Sequence, residues 1–226
     1  MGTKPPFSRA PPKSGPIAAD TSPMKNQTGF SLVELIVTLV VVALTMTMVV
    51  PGVQQFMQSN RLVSQLNMLS SSLAAARSEA VKRNLRAVAC PTTDGTSCNT
   101  TNGAGWETGW LVFLDRNNNF EMNDVAGSCA EAATSGDCLL MSQQALTGGT
   151  TLRAASGIVG ALGYDGTGGV FCKNGTGTAQ ACAAASTFFT LCDARGASGA
   201  RGLAISNTGR ASVIDKQPNA TSLSCP

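Results

Sequence analysis

Glu34 carries a charge where the surrounding sequence offers none. It is the only ionisable side chain in the apolar run from residue 30 to residue 50. As an α-helix that run spans about 30 Å, the thickness of a bilayer hydrocarbon core. A carboxylate inside it costs about 2.5–3.5 kcal/mol on insertion scales, so Glu34 is a functional residue by default and needs a partner. A second set of reactive groups lies entirely beyond Pro51: Cys90, Cys98, Cys129, Cys138, Cys172, Cys182, Cys192 and Cys225. That asymmetry fits an oxidising compartment such as the periplasm, where their chemistry is disulfide formation. No pair has C-x-x-C spacing and the chain has no histidine, so a zinc site or thioredoxin-like motif is poorly supported.

Other constellations are weaker. Tyr164 is the single tyrosine, the carboxylates are scattered, and no Ser or Cys has an evident base. The sequence therefore predicts no enzyme, no catalytic residue, no metal and no cofactor. Asp115, Asn117, Asn119 and Glu121, with Asp124 beyond, resemble the start of a calcium loop. The loop's glycine and closing bidentate Glu are missing, and a strand-connecting turn is the preferred reading. The glycine-rich stretch 165–169 has no Lys-Ser/Thr behind it and opens no helix, so it is not read as a phosphate cradle. Arg201, Arg210 and Lys216 are the candidate nucleic-acid contacts.

Several elements must position these groups. The apolar run is too long for the core of a signal peptide, and no small-x-small cleavage site follows it, so it reads as a retained membrane helix. The segment before it holds Lys4, Arg9, Lys13 and Lys25 against Asp20. That bias predicts a cytoplasmic N-terminus and places everything after residue 50 outside. Six prolines make this segment a poor folder. The remainder has equal numbers of acidic and basic side chains, which argues against bulk attraction to nucleic acid. Beyond Pro51 a helical stripe runs through Leu62, Leu66, Leu69, Leu73, Ala76 and Ala80, with Ser64, Ser71, Ser78 and Lys82 opposite. Lys82 and Arg83 suit a helix C-terminus and Asn84 a left-handed exit. The stripe needs a sheet. Strands are predicted at 85–90, 110–114, 139–146, 151–154, 158–164, 187–192, 202–206 and 211–215, the third and fourth flanking the Gly148-Gly149 turn. Residues 92–105, 125–137 and 173–185 read as loops.

With these residues in view, a family resemblance follows. Gly29-Phe30-Ser31-Leu32-Val33-Glu34-Leu35, with Pro51 at the far end of the apolar run, resembles the N-terminal signature of type IV pilins and type II secretion pseudopilins. The resemblance implies cleavage after Gly29 by prepilin peptidase and N-methylation of Phe30. It further implies that Glu34 pairs with the terminal amine of a neighbouring subunit, which would set the axial register. An ordinary single-pass anchor with a stray Glu is the bland alternative.

More of the chain resembles the GspH/FimT branch. The matching stretches are Ala76-Arg77-Ser78-Glu79-Ala80-Val81-Lys82-Arg83-Asn84, Gly109-Trp110-Leu111-Val112-Phe113-Leu114-Asp115, Leu191-Cys192-Asp193-Ala194-Arg195-Gly196, and the run from Ala200 to Arg210. By analogy with FimU-type members, Cys192 and Cys225 would be joined. Sequence proximity then suggests Cys90–Cys98, Cys129–Cys138 and Cys172–Cys182, one of 105 connectivities. Some FimT-like members bind DNA through a Gly-Arg-x-Arg motif. Here that stretch is Gly209-Arg210-Ala211-Ser212, which lacks the second Arg.

The expected architecture is α+β and pilin-like, a long N-terminal helix packed on an antiparallel sheet domain with disulfide-closed loops. Residues 1–29 would be a cleaved leader, 30–50 the transmembrane half of the helix, 51–84 its amphipathic half, and 85–226 a periplasmic β-rich domain. The expected function is a minor pilin in the tip or priming complex of a type IV pilus. The alternatives are minor pseudopilin H of a type II secretion system and, less favoured, a DNA-binding minor pilin. Implied partners are prepilin peptidase, other minor pilins or pseudopilins, the major subunit and the bacterial inner membrane.

Overall fold

The computed structural model describes residues 29–123, 129, 136–174, 177–183, 187–218 and 221–225. The leader apart from Gly29, Asp124, and most of the 125–137 loop lie outside them. The chain divides into two compact units, Met1–Met48 and Val49–Pro226.

One helix, α1 (Leu32–Arg83), runs from the first unit into the second. Within it, Leu62, Leu66, Leu69, Leu73, Ala76 and Ala80 are all fully buried, as the spacing of three and four requires. Each buried leucine contributes about 1.5–3 kcal/mol. Two polar side chains share this face: Gln65 Nε2 donates to the Thr147 carbonyl at 2.9 Å and Ser72 Oγ to the Met68 carbonyl at 2.9 Å, while Gln65 Oε1 is buried without a partner among the described residues. At the C-terminus Glu79 pairs with Arg83 at 2.6 Å and with Lys82 at 3.8 Å. Asn84 leaves the helix at φ 52°, and the Leu85 N–H closes back on the Ala80 carbonyl at 3.2 Å.

The helix stripe packs against two antiparallel sheets rather than one. Ten strands follow in chain order: β1 (Arg86–Pro91), β2 (Gly109–Asp115), β3 (Cys138–Gln144), β4 (Thr151–Ala154), β5 (Leu162–Tyr164), β6 (Val170–Lys173), β7 (Ala179–Ala181), β8 (Phe188–Cys192), β9 (Arg201–Ile205) and β10 (Ala211–Ile214). The first sheet has the order β3-β2-β1-β5-β6-β7 and the second β10-β9-β8-β4. So β3 and β4 do not form a hairpin around Gly148-Gly149, as their flanking positions suggested. The turn carries the chain from one sheet to the other, and Arg61 of α1 reaches the Gly148 carbonyl at 3.4 Å.

Strands β6 and β7 depart from expectation. The 173–185 segment reads as a low-complexity loop between Cys172 and Cys182, and its Ala179–Ala181 stretch is short and exposed. It becomes a strand only by pairing with β6, with Phe171 opposite Ala181. The predicted strand at 158–164 begins later, at Leu162, because Ala155, Ile158 and Gly160 first make turn hydrogen bonds.

Period-two alternation sorts β1 between two clusters. Ala87 and Ala89 join the main core with the helix leucines, whereas Val88 and Cys90 pack on the other face with Leu111, Phe113, Phe120 and Phe171. The main core also takes Phe189 and Leu191 from β8 and Leu203 and Ile205 from β9. Trp106, in a single 3-10 turn before β2, meets Phe189 edge-on with ring centroids 4.8 Å apart. Next to it, Glu107 accepts from the Leu152 N–H at 3.1 Å and pairs with Arg153, which fastens β4.

Candidate functional site

At the start of α1 the Leu35 N–H donates to the Ser31 carbonyl at 3.1 Å, which makes Ser31 the last residue before helical geometry. Phe30 precedes it with 84% of its surface exposed. Glu34 lies in the first turn, where a carboxylate complements the positive end of the helix dipole. Among the described residues its side chain has no hydrogen bond or ion pair. The apolar side chains from Leu32 to Val50 are exposed, and an 18-residue window of this helix reaches a mean hydropathy of 2.5 with none of it buried. Polar groups in the run are tied off internally. Thr38, Thr45 and Thr47 donate to the carbonyls of Leu35, Val42 and Leu44 at 2.8, 2.9 and 2.7 Å. That leaves Glu34 as the group in this helix that lipid cannot solvate. Pro51 sits inside the helix and has no N–H to give to the carbonyl four residues back.

Four disulfides join Cys90 to Cys98, Cys129 to Cys138, Cys172 to Cys182 and Cys192 to Cys225. The first three close sequence separations of 8, 9 and 10. The last closes 33, and it fixes Leu223 and the C-terminal segment over Phe188 and Ala200 on β8 and the β8–β9 connection.

The nucleic-acid candidates do not converge. Arg201 begins β9 and pairs with Asp215 at 3.4 Å, and Lys216 forms a bridge with Ser222. Arg210 sits at the turn end of the same hairpin, roughly 13 Å of strand away from Arg201. It lines a cleft of 740 Å³ together with Ala74, Arg77, Val81 and Lys82 of α1 and Tyr164 of β5. Arg77 is held by the bond from its Nε to the Gly168 carbonyl at 3.0 Å. Tyr164 is 1% exposed, and among the described residues its hydroxyl has no hydrogen-bond partner. Burial pushes its pKa up to about 12, with the Arg77 charge opposing.

The acidic turn after β2 is committed to backbone. Asp115 accepts from the N–H groups of Asn119 and Phe120, both at 3.1 Å, and Asp137 from those of Arg116 and Asn123 at 3.0 and 3.1 Å. Burial holds the Asp115 carboxyl above the usual range, with Asp137 adding to the shift. Asn118 and Phe120 take positive φ of 62° and 64°. These oxygens therefore build a turn.

Residues 65–209, more than half of the chain, match the family described as Type II transport protein GspH. The chain belongs to the GspH family. Residues 24–50 of this GspH-family chain also match the prokaryotic N-terminal methylation motif. Two solved structures are similar, both of the type IV minor pilin FimU from Pseudomonas aeruginosa strain PAO1. The one in space group P21 has 20% identity and a TM-score of 0.45, covering 73% of this chain and 98% of that chain. The one in P65 has 20% identity and a TM-score of 0.42, covering 70% and 97%. No curated protein matches the chain. Membership makes the chain a minor pilin or pseudopilin, a structural component with a membrane-anchoring N-terminal helix.

Sequence reasoning missed the groups that come together only in three dimensions. Arg77 and Tyr164 of this GspH-family chain are 87 positions apart and share the cleft wall with Arg210. Arg195 is another: it grips the Asp193 carboxylate at 2.7 Å and reaches Ser59 Oγ on α1 at 2.9 Å. The only signal for it was the Cys-Asp-x-Arg run after β8, which marks a short turn with a charge at each end.

Proposed function

We propose that this chain is stored in the bacterial inner membrane with its N-terminus cytoplasmic and its β-rich part periplasmic. Prepilin peptidase cuts between Gly29 and Phe30, and Phe30 is then N-methylated. The processed subunit enters the tip or priming complex of a type IV pilus with other minor pilins and the major subunit. One observation carries this reading. Glu34 stands in the first turn of an exposed apolar helix, without a partner among the described residues and four positions after Phe30, and the α-ammonium of a neighbouring copy would neutralise it. An unpaired carboxylate in lipid is costly, so subunits gain by docking in the register that pairs the two charges.

A second reading is minor pseudopilin H of a type II secretion system. It is favoured by the description of the family itself. The Cys192–Cys225 closure, by analogy with FimU-type pilins, favours the pilus.

The test is the intact mass of the protein from membranes, with and without prepilin peptidase, under non-reducing conditions. The expected species starts at Phe30, carries one methyl group, and is eight hydrogens lighter than the reduced chain. A product that keeps residues 1–29 despite an active peptidase would end the subunit reading. A Glu34→Gln variant should be processed normally yet be depleted at least tenfold from sheared filaments.

A further inference from the structure

The geometry points to the cleft between α1 and the β9–β10 turn as a docking site for a carboxylate-bearing segment of a neighbouring filament subunit. The partner's identity rests on the subunit reading above; the cleft's affinity for carboxylate does not.

Three observations carry the inference. First, the charge at the cleft has one sign. Arg77, Lys82 and Arg210 line it, and among the described residues no acidic side chain does. The Arg210 guanidinium has no hydrogen bond or ion pair among the described residues. The terminal nitrogens of Arg77 are likewise unused, because only its Nε is engaged, at Gly168. Lys82 is held loosely, 3.8 Å from Glu79 Oε1, while Arg83 binds Glu79 Oε2 at 2.6 Å. Second, between the charges the wall offers aliphatic surface beside the hydroxyls of Ser70 and Ser78: Ala74 and Val81 are exposed, Val81 at 50%. Third, the buried Tyr164 on this wall leaves its hydroxyl without a partner among the described residues. In a packed domain an orphaned buried hydroxyl is destabilising, and a bound acceptor that reached it would recover part of that loss.

These features select among anions. A nucleic-acid track needs cations spaced along a strand and open rings for stacking. Here the Tyr164 ring is covered by Gly209, and Arg201 lies at the other end of the hairpin. A lipid headgroup is disfavoured by position, since Arg77 lies about 40 Å of helix beyond Val50, the end of the apolar run. A peptide that pairs a carboxylate with aliphatic side chains matches both the cations and the wall. The 740 Å³ of space is of the size that encloses a short segment.

Tyr164 is the only tyrosine, which gives the test a built-in reporter. The full chain, labelled with 13Cζ-tyrosine and held in detergent micelles, would be titrated with the capped peptide Glu-Leu-Glu-Leu-Glu and with its Gln-Leu-Gln-Leu-Gln counterpart. The expected result is one saturable shift of the Tyr164 resonance with the Glu peptide and at least a tenfold weaker response to the Gln peptide. Arg210→Gln and Lys82→Gln, both at exposed positions, should each weaken the Glu peptide at least fivefold. Arg210→Glu, which leaves Arg77 and Lys82 in place, should weaken the Glu peptide further than Arg210→Gln does. No shift at millimolar Glu peptide, an equal response to the Gln peptide, or no effect of the Arg210 substitutions would overturn the proposal. So would tighter competition by a single-stranded oligonucleotide or by phosphatidylglycerol vesicles, or a resonance that shifts with protein concentration alone. None of these outcomes depends on cleavage at Gly29, so this site and the subunit reading fail separately.

Discussion

Three residues outside the N-terminal machinery carry sharp expectations. Asp193 is held well below its usual 3.8 first by the hydrogen bond from Arg195, and Arg195 in turn ties β8 to Ser59 on α1. The folded state thus binds fewer protons than the unfolded chain. The stabilisation is fully present above about 3.8 and is lost as pH falls through the lower folded value. Asp193→Asn should lower Tm clearly at pH 7 and by progressively less as pH falls below 3.8; a loss that does not change with pH would remove the charge from the explanation. Asp115 has the opposite sign, because burial raises its pKa, and its contribution is lost as pH rises through that value. Gly209 is the third residue. At φ +77° a Cβ would stand 2.7 Å from the Tyr164 ring and 2.8 Å from the Gly168 carbonyl oxygen. Gly209→Ala should cost about 2–3 kcal/mol in urea unfolding, from the strained backbone and the contact with fixed main chain.

At the scale of elements the disulfides differ in what they constrain. By loop-closure entropy the Cys192–Cys225 bond, with a separation of 33, stabilises by about 3.7 kcal/mol, and the three short closures by about 2.5 kcal/mol each. Replacing Cys192 and Cys225 together by Ser should therefore lower the urea midpoint more than removing any local pair. The reverse order would show that the C-terminal closure works only through local packing. Elements also show where the sequence was legible. The stripe from Leu62 to Ala80 could be read from spacing alone, because a helix face is a local property and every one of its positions is buried. The number of sheets could not. Whether β4 joins β3 or β8 is decided by pairing Thr151 with Cys192 across 41 residues, and by Glu107 reaching Arg153. Nothing near the Gly148-Gly149 turn encodes either contact. Strand β7 was invisible for a related reason. The exposed Ala179-Gln180-Ala181 has little strand preference of its own and acquires it from the edge of β6. The cleft was hidden too, since Arg77, Tyr164 and Arg210 have no common spacing. Glu34 and the cysteines stood out because one is a misplaced charge and the others sit on one side of Pro51 only.

At the scale of the whole molecule the relevant quantity is charge balance. The four basic side chains in excess of the acidic ones around them lie before residue 29, against Asp20 alone, so the part after Gly29 is neutral. Counterion release, the main source of non-specific DNA affinity, therefore has little to draw on. Arg201 is moreover paired with Asp215. The processed chain in micelles should bind duplex DNA no better than about 10⁻⁴ M at roughly 150 mM salt. A tight, steeply salt-dependent interaction lost on Arg210→Ala would reverse that expectation.

The Cys192–Cys225 bond also has a mechanical consequence. A pull applied at the C-terminus does not run back through β10 and β9 but crosses directly to the end of β8, an interior strand of its sheet flanked by β9 and β4. Roughly 110 Å of extensible chain is thereby taken out of the load path. Stretched between helix and tail, the oxidised domain has to shear a central strand before it lengthens, whereas the reduced domain can peel its last hairpin from the edge inward. In a filament under tension, the bond sets which of these two ruptures comes first.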